Sequence, residues 1–183
     1  MDALEVLDLS ENPIKSTPQS LSNLKNLTSL LLAHCNYLEN VPSLSNLRVL
    51  KKLDLRRTKI KEIPQGMENL MSLEYLNFSY SKNIKEIPNG ILSRLCCLQI
   101  LRVGKLLISW KEVGGLKKLE VLEGRFEDYD NLNMYLQGFH GREEPRQYNI
   151  SVGDFEWDDY WWNEAGKVIG VSGCKNLSDY AST

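Results

Sequence analysis

A short apolar motif, apolar-x-x-apolar-x-apolar, returns along this chain at a constant step, and that constancy limits the fold more than any other feature of the sequence. It opens at Leu4, Leu7 and Leu9, then returns at Leu27, Leu30 and Leu32, at Leu50, Leu53 and Leu55, and at Leu73, Leu76 and Phe78. Each of these steps is 23 residues. A fifth copy, Leu98, Leu101 and Val103, follows after 25 residues, and a sixth, Leu119 and Leu122, after 21. The sixth decays, with Gly124 and Glu127 where apolar and small residues are expected. Self-similarity at a period of this length marks an architecture of stacked repeats, in which no single unit can bury its own apolar face.

Every copy carries a second half. Ile14 to Pro18, Leu38 to Pro42, Ile60 to Pro64 and Ile84 to Pro88 all read apolar-x-x-x-Pro. The two halves make one coil of a solenoid. The first half is a short strand whose leucines point inward and whose backbone pairs in parallel with the next coil. The second half returns along the convex side in extended or 3₁₀ form, because proline fixes φ and lacks a ladder donor. Leu21, Leu24, Leu47, Leu70 and Leu95 then fill the coil from the return side. The expected fold is an α/β solenoid: a horseshoe with a parallel β ladder on its concave face and an irregular, 3₁₀ or helical convex side.

Three residues past the last strand leucine stand Asn12, Cys35, Thr58 and Ser81, again 23 apart. Small polar or sulfur-bearing side chains at the turn leaving a strand can bond backbone groups that the ladder no longer satisfies. Cys35 therefore reads as a buried turn residue and not as a nucleophile. VIGVSGCKNL aligns with LLLAHCNYL, placing Ile169 on Leu30, Val171 on Leu32, Cys174 on Cys35 and Leu177 on Leu38. The repeat restarts over 168–177.

Composition separates the chain into two parts. Of its 30 leucines, 29 precede residue 137, whereas Trp157, Trp161 and Trp162, three of the four tryptophans, follow it. Residues 1–127 read as about five to six regular repeats. Residues 128–183 read as degenerate repeats interrupted by an acidic-aromatic insertion at 154–164, DFEWDDYWWNE. Within the second part, Asp128 or Asp130 can cap a short helix that sets Leu132, Tyr135, Leu136 and Phe139 on one face, and Tyr148 to Val152 reads as a strand. The insertion has two readings. Trp157, Tyr160, Trp161 and Trp162 either contact a basic and apolar partner, since clustered aromatics mark binding hot spots, or fold onto the solenoid edge as a long loop between repeats.

Charge and motif content exclude several function classes. A net charge of −2 gives no global case for nucleic acid, which needs a basic surface. No apolar run reaches the roughly 18 to 20 residues of a membrane span. The start, MDALEVLDLSEN, has neither a basic n-region nor an apolar h-region, so a signal peptide is not expected. Four cysteines without a CxxC, joined by His34 and His140, predict no metal site and fit thiols in a reducing compartment. GxSxG, HExxH, GxGxxG and GxxxxGK[ST] are all absent, so no enzyme activity is expected.

Alternation along each strand turns one set of side chains outward on the concave sheet. Asp8, Leu31, Lys52, Asp54, Arg56, Tyr75, Asn77 and Arg102 belong to it, with Glu11, His34, Arg57, Tyr80 and Lys105 just beyond. The candidate protein-binding residues are Asp8, Leu31, Lys52, Asp54, Arg56, Arg57, Tyr75, Asn77, Tyr80 and Arg102. Lys52, Arg56 and Arg57 form a basic spot beside Tyr75 and Tyr80, a pairing suited to protein recognition, although each can equally be a solvated side chain.

The stretch from LLLAHCNYLENVP through LKKLDLRRTKIKEIP to GILSRLCCLQIL resembles the leucine-rich-repeat region of plant coiled-coil nucleotide-binding disease-resistance proteins. The CxxLxxxP coil from Cys35 to Pro42, the TKIKEIP coil and GILSRLCCLQIL carry the resemblance. EDYDNLNMYLQGF, YNISVG and VIGVSGC are similar to degenerate repeats further along such proteins. The resemblance implies a cytoplasmic innate-immunity receptor for plant defense, whose repeat region senses a pathogen effector or a guarded host protein and restrains a nucleotide-binding domain. ADP or ATP is expected only on such a domain and on no residue here, and the segment reads as a fragment that lacks it. Two alternatives remain. Four N-x-[ST] sequons, at Asn26, Asn77, Asn149 and Asn176, fit a secreted or cell-surface receptor ectodomain. Missing paired-cysteine caps and a missing GxIP turn speak against it. Regular 23-residue coils also fit an intracellular signalling scaffold.

Overall fold

The computed structural model describes residues 3–138, 144–153 and 166–171. Their strands form one eight-stranded parallel sheet in strict chain order. The first four are three-residue strands, β1 (Val6–Asp8), β2 (Ser29–Leu31), β3 (Lys52–Asp54) and β4 (Tyr75–Asn77). Pairing runs Leu7 to Leu30, Leu30 to Leu53 and Leu53 to Leu76, so the ladder register equals the 23-residue step of the sequence. Longer strands follow: β5 (Ile100–Leu107), β6 (Val121–Phe126), β7 (Gln147–Val152) and β8 (Lys167–Val171). We number the coils by these strands.

Leucines stack inward as columns. Leu30, Leu53, Leu76, Leu101 and Leu122 have no exposed surface, and neither have Leu27, Leu50, Leu73 and Leu98. Each contributes roughly 1.5–3 kcal/mol by leaving water. Leu4, Leu7 and Leu9 are only partly buried, because among the described residues coil one is covered on one side alone, by β2. The return halves take the expected form. 3₁₀ turns span Gln19–Asn23, Met67–Asn69 and Leu92–Arg94, and Leu21, Leu47, Leu70 and Leu95 are buried beneath the convex side while Leu24 packs partly against them. Gly66 starts the second of these turns at φ 82°, and a Cβ there would lie 2.5 Å from the Ser45 backbone nitrogen. Only glycine serves both needs.

From coil five onward the construction changes. Gly104 takes φ 57° and sits at the irregularity between Arg102 and Leu107, beyond which β5 pairs with β6 again in a shifted register, Leu107 against Arg125. Its last residue bridges Glu86 of the preceding return segment. A four-residue helix, α1 (Trp110–Val113), follows on the convex side. There the buried Glu112 carboxylate accepts from the backbone N–H groups of Gly90 and Ser93, capping the 3₁₀ turn of the coil before. Gly124, where an inward leucine belongs, is explained by its neighbour: an added Cβ would stand 2.7 Å from Ile108 Cδ1. Ile108, buried together with Phe126, fills the missing volume. Helix α2 (Tyr129–Gln137) starts as the sequence indicates, with the Asp128 carboxylate accepting from the Asn131 N–H at 2.8 Å. It buries Leu132 and Tyr135, the latter 5.2 Å from the Phe126 ring. Phe139 lies outside the described residues.

Strand β8 corrects one alignment. Leu122 pairs with Tyr148 and Tyr148 with Lys167, so Lys167, and not Ile169, stands in the column of Leu30; Ile169 pairs with Ile150. A two-residue slip keeps the same side chains inward, so hydrophobic pattern cannot choose between the two registers. Specific contacts choose: Lys167 lies over the Tyr148 ring at 5.5 Å and donates to Glu144 at 2.6 Å.

Candidate recognition surface

At the exit of each regular strand the chain makes the same turn. Glu11, His34, Arg57 and Tyr80 take φ values of 61°, 60°, 54° and 64°, four left-handed side-chain-bearing residues at a 23-residue step. L-residues enter this region at a cost of about 1–2 kcal/mol, so the turn needs support from both sides. Behind it, the polar column supplies that support. Asn12 Nδ2 donates to the Leu9 carbonyl at 3.1 Å, and Cys35 Sγ reaches the same oxygen at 3.0 Å from the next coil. Thr58 and Ser81 repeat the arrangement on the Leu55 carbonyl at 2.8 and 3.0 Å. Burial is the main influence pushing the Cys35 thiol up, which suits a structural role.

In front of the turn, Asp8, Asp54 and Asn77 each accept a hydrogen bond from the backbone N–H two residues on, at Ser10, Arg56 and Ser79. Asp54 and Asn77 turn to the concave face as expected, but they are 5% and 3% exposed and are spent on the strand ends. Their role is to hold the turn that presents Arg57 and Tyr80. Asn77 also donates to the Tyr75 hydroxyl at 2.9 Å. Asp8 stays exposed, and hydrogen bonds from Ser10, with a smaller contribution from Lys52, hold its carboxyl below the usual range.

Lys52 and Arg57 of coil three each pair with a tyrosine of coil four, Tyr75 and Tyr80. Lys52 Nζ lies 5.0 Å from the Tyr75 ring centre and the Arg57 guanidinium 4.7 Å from that of Tyr80, both cation–π distances. Arg56 approaches Asp54 at 3.6 Å. Burial raises the Tyr75 hydroxyl above its ordinary range, so it stays a neutral hydroxyl. Arg102 stands one coil further, 3.7 Å from Glu123. Glu123 is buried and accepts from Ser79 Oγ at 2.6 Å, and desolvation raises its carboxyl despite Ser79, Arg102 and the Gly104 backbone. Nothing in the sequence announces the Ser79–Glu123 contact, which spans 44 residues. The left-handed row did have a signal, a 23-residue step directly before the polar column. Leu31 is half-buried between the acidic end at Asp8 and the basic spot. Trp157, Tyr160, Trp161 and Trp162, with Cys174, Asn176, Leu177 and His140, lie outside the described residues. Among the described residues no three His, Cys, Asp or Glu side chains converge as metal ligands, and no helix is long and apolar enough to cross a membrane.

A parallel ladder whose coils stack their inward apolar residues into continuous columns, with polar side chains on the concave face, defines a solenoid repeat protein. Residues 34–137, more than half of the chain, match the family model of a leucine-rich repeat region, and residues 3–24 match that of a single leucine rich repeat. The chain belongs to the leucine-rich-repeat family, whose domains are protein-interaction modules. It is also similar to a probable disease resistance protein of Arabidopsis thaliana, 50% identical over 44 residues, which are 24% of this chain and 5% of that protein. With the family match, this bears out the resemblance to the leucine-rich-repeat region of plant disease-resistance proteins. Among solved structures, a leucine-rich-repeat protein of Leptospira interrogans superposes with a TM-score of 0.57 at 19% identity, over 83% of this chain and 44% of that one. An internalin of Listeria monocytogenes gives 0.50 at 19%, over 75% and 38%. At such identities the likeness is one of fold.

Proposed function

We propose that this chain is the protein-recognition part of a cytoplasmic plant immune receptor, sensing a pathogen effector or a guarded host protein and restraining the receptor's nucleotide-binding domain. The observation that carries the reading is the pairing of Lys52 with Tyr75 and of Arg57 with Tyr80, cations and aromatics set on a rigid ladder where a partner can reach them. Cations and aromatics in a fixed frame bind at low entropic cost. The match to a plant disease resistance protein supports the setting. The Asn77 sequon lends no support to a secreted receptor, since Asn77 is 3% exposed and its side chain is hydrogen-bonded into the ladder. The role is binding, not catalysis, and needs no cofactor on this chain. Binding of the purified chain to the nucleotide-binding domain of a related plant receptor tests it. Retention is expected, with loss in the double variant Arg56→Glu, Arg57→Glu at unchanged melting temperature. No retention, or retention indifferent to the double variant, overturns the restraining role of this face.

A further inference from the structure

Charge is ordered along the concave face, coil by coil. Coil one presents the exposed carboxylates of Asp8 and Glu11. Coil two presents no Asp, Glu, Lys or Arg on this face, and its centre is the half-buried Leu31 beside the buried Ala33. Coil three presents Lys52, Arg56 and Arg57, all exposed. The acids inside the basic region are committed elsewhere: Asp54 to the Arg56 backbone and side chain, Glu123 to Ser79 and Arg102. Among the described residues Lys52 lies over the Tyr75 ring and also draws on the exposed Asp8 carboxylate, and Arg57 lies over the Tyr80 ring; the rings orient both cations on the face. The rim adds a second sign of purpose. Glu11, His34, Arg57 and Tyr80 occupy left-handed turns that glycine would hold with less strain.

We propose that this face binds an extended, bipolar segment of a partner protein, with a basic side chain on Asp8 and Glu11, an apolar side chain on Leu31, and an acidic side chain on Lys52 and Arg57. This rests on the recognition role proposed above and names the chemistry of the partner. Parallel strands stand about 4.8 Å apart, so coils one and three are separated by roughly 10 Å. An extended peptide advances about 3.3 Å per residue, so its two charges fall about two to four residues apart with the apolar residue between them. The segment lies across the strands, where the side chains of each coil in turn can read it.

Labelled synthetic peptides test this against the whole chain by fluorescence anisotropy at low salt. A peptide with lysine, leucine and aspartate spaced two residues apart in a serine background is expected to bind about tenfold more tightly than versions lacking either charge. Arg57→Gly keeps the left-handed turn and is expected to melt no lower than wild type while losing most of that preference. Lys52→Glu with Arg57→Glu is expected to shift the preference to a peptide carrying two lysines. If single-charge peptides bind as tightly as the bipolar one, or if Arg57→Gly binds like wild type, the inference is overturned. If no peptide binds while the nucleotide-binding domain is still retained through Arg56 and Arg57, the bipolar segment falls and the recognition role stands. Loss of both removes the recognition role as well.

Discussion

Coils one to four and coils five to seven reach the same ladder by different means. In the first four, each coil supplies its own three inward apolar residues and its own left-handed turn residue, and the strand and turn columns repeat at 23 residues. In the later ones the columns are filled by borrowing. Ile108 of coil five fills the space over Gly124 of coil six, Glu112 on α1 caps the 3₁₀ turn of the coil before, and the left-handed residue falls on Gly104, one position earlier in the register than Tyr80 of the coil before. The ladder nonetheless continues unbroken through β6 and β7. What a solenoid position requires is therefore a volume, a donor or a dihedral angle, and the residue of the same coil is only the simplest supplier.

The sharpest way to break the comparison is a charge in a regular column. Leu53 is wholly buried between Leu30 and Leu76, so Leu53→Asp places an uncompensated carboxylate where no donor awaits it. Loss of the cooperative melting transition by circular dichroism is expected; an unchanged melting curve would mean that the register is wrong. Borrowed volume gives a smaller and more informative effect. Gly124→Val is expected to cost about 1–3 kcal/mol by overpacking against Ile108. Ile108→Ala alone is expected to cost roughly 2–5 kcal/mol as a cavity. In the double variant the two defects offset each other, and denaturant melts should show a stabilising coupling above about 1 kcal/mol. Additive losses would show that Ile108 does not fill the place of Gly124. The smallest effect lies in the polar column. Thr58→Ala and Ser81→Ala are each expected to cost about 1 kcal/mol, with the second loss differing from the first because both hydroxyls bond the Leu55 carbonyl. Strict additivity in the double variant would argue that the shared oxygen does not couple the coils.

Much of the candidate surface was legible in the sequence for the same reason the regular coils were. Period-two alternation within a fixed register sends Lys52, Tyr75 and Arg102 to one face, and that inference needs no coordinates. The division of labour within the face was not legible. Asp54 and Lys52 look equally outward in a pattern, yet the shorter side chain bends back to the Arg56 N–H while the longer one reaches a tyrosine ring on the next coil. Likewise Glu123 reads as another outward carboxylate until coil four places Ser79 against it and seals it from water.

By itself the sequence determined the coil length, the parallel register of the first five strands, the inward leucines and the turn column. All of these follow from apolar periodicity, because only one register buries every leucine at once. Tertiary structure decided the rest: that Ile108 replaces a leucine at Gly124, that Lys167 and not Ile169 continues the column of Leu30, and that Asp54 and Asn77 brace the turns presenting Arg57 and Tyr80. Those outcomes depend on contacts between side chains of different coils. A repeat pattern records what each coil contributes to the stack, while packing settles which neighbour meets each remaining need.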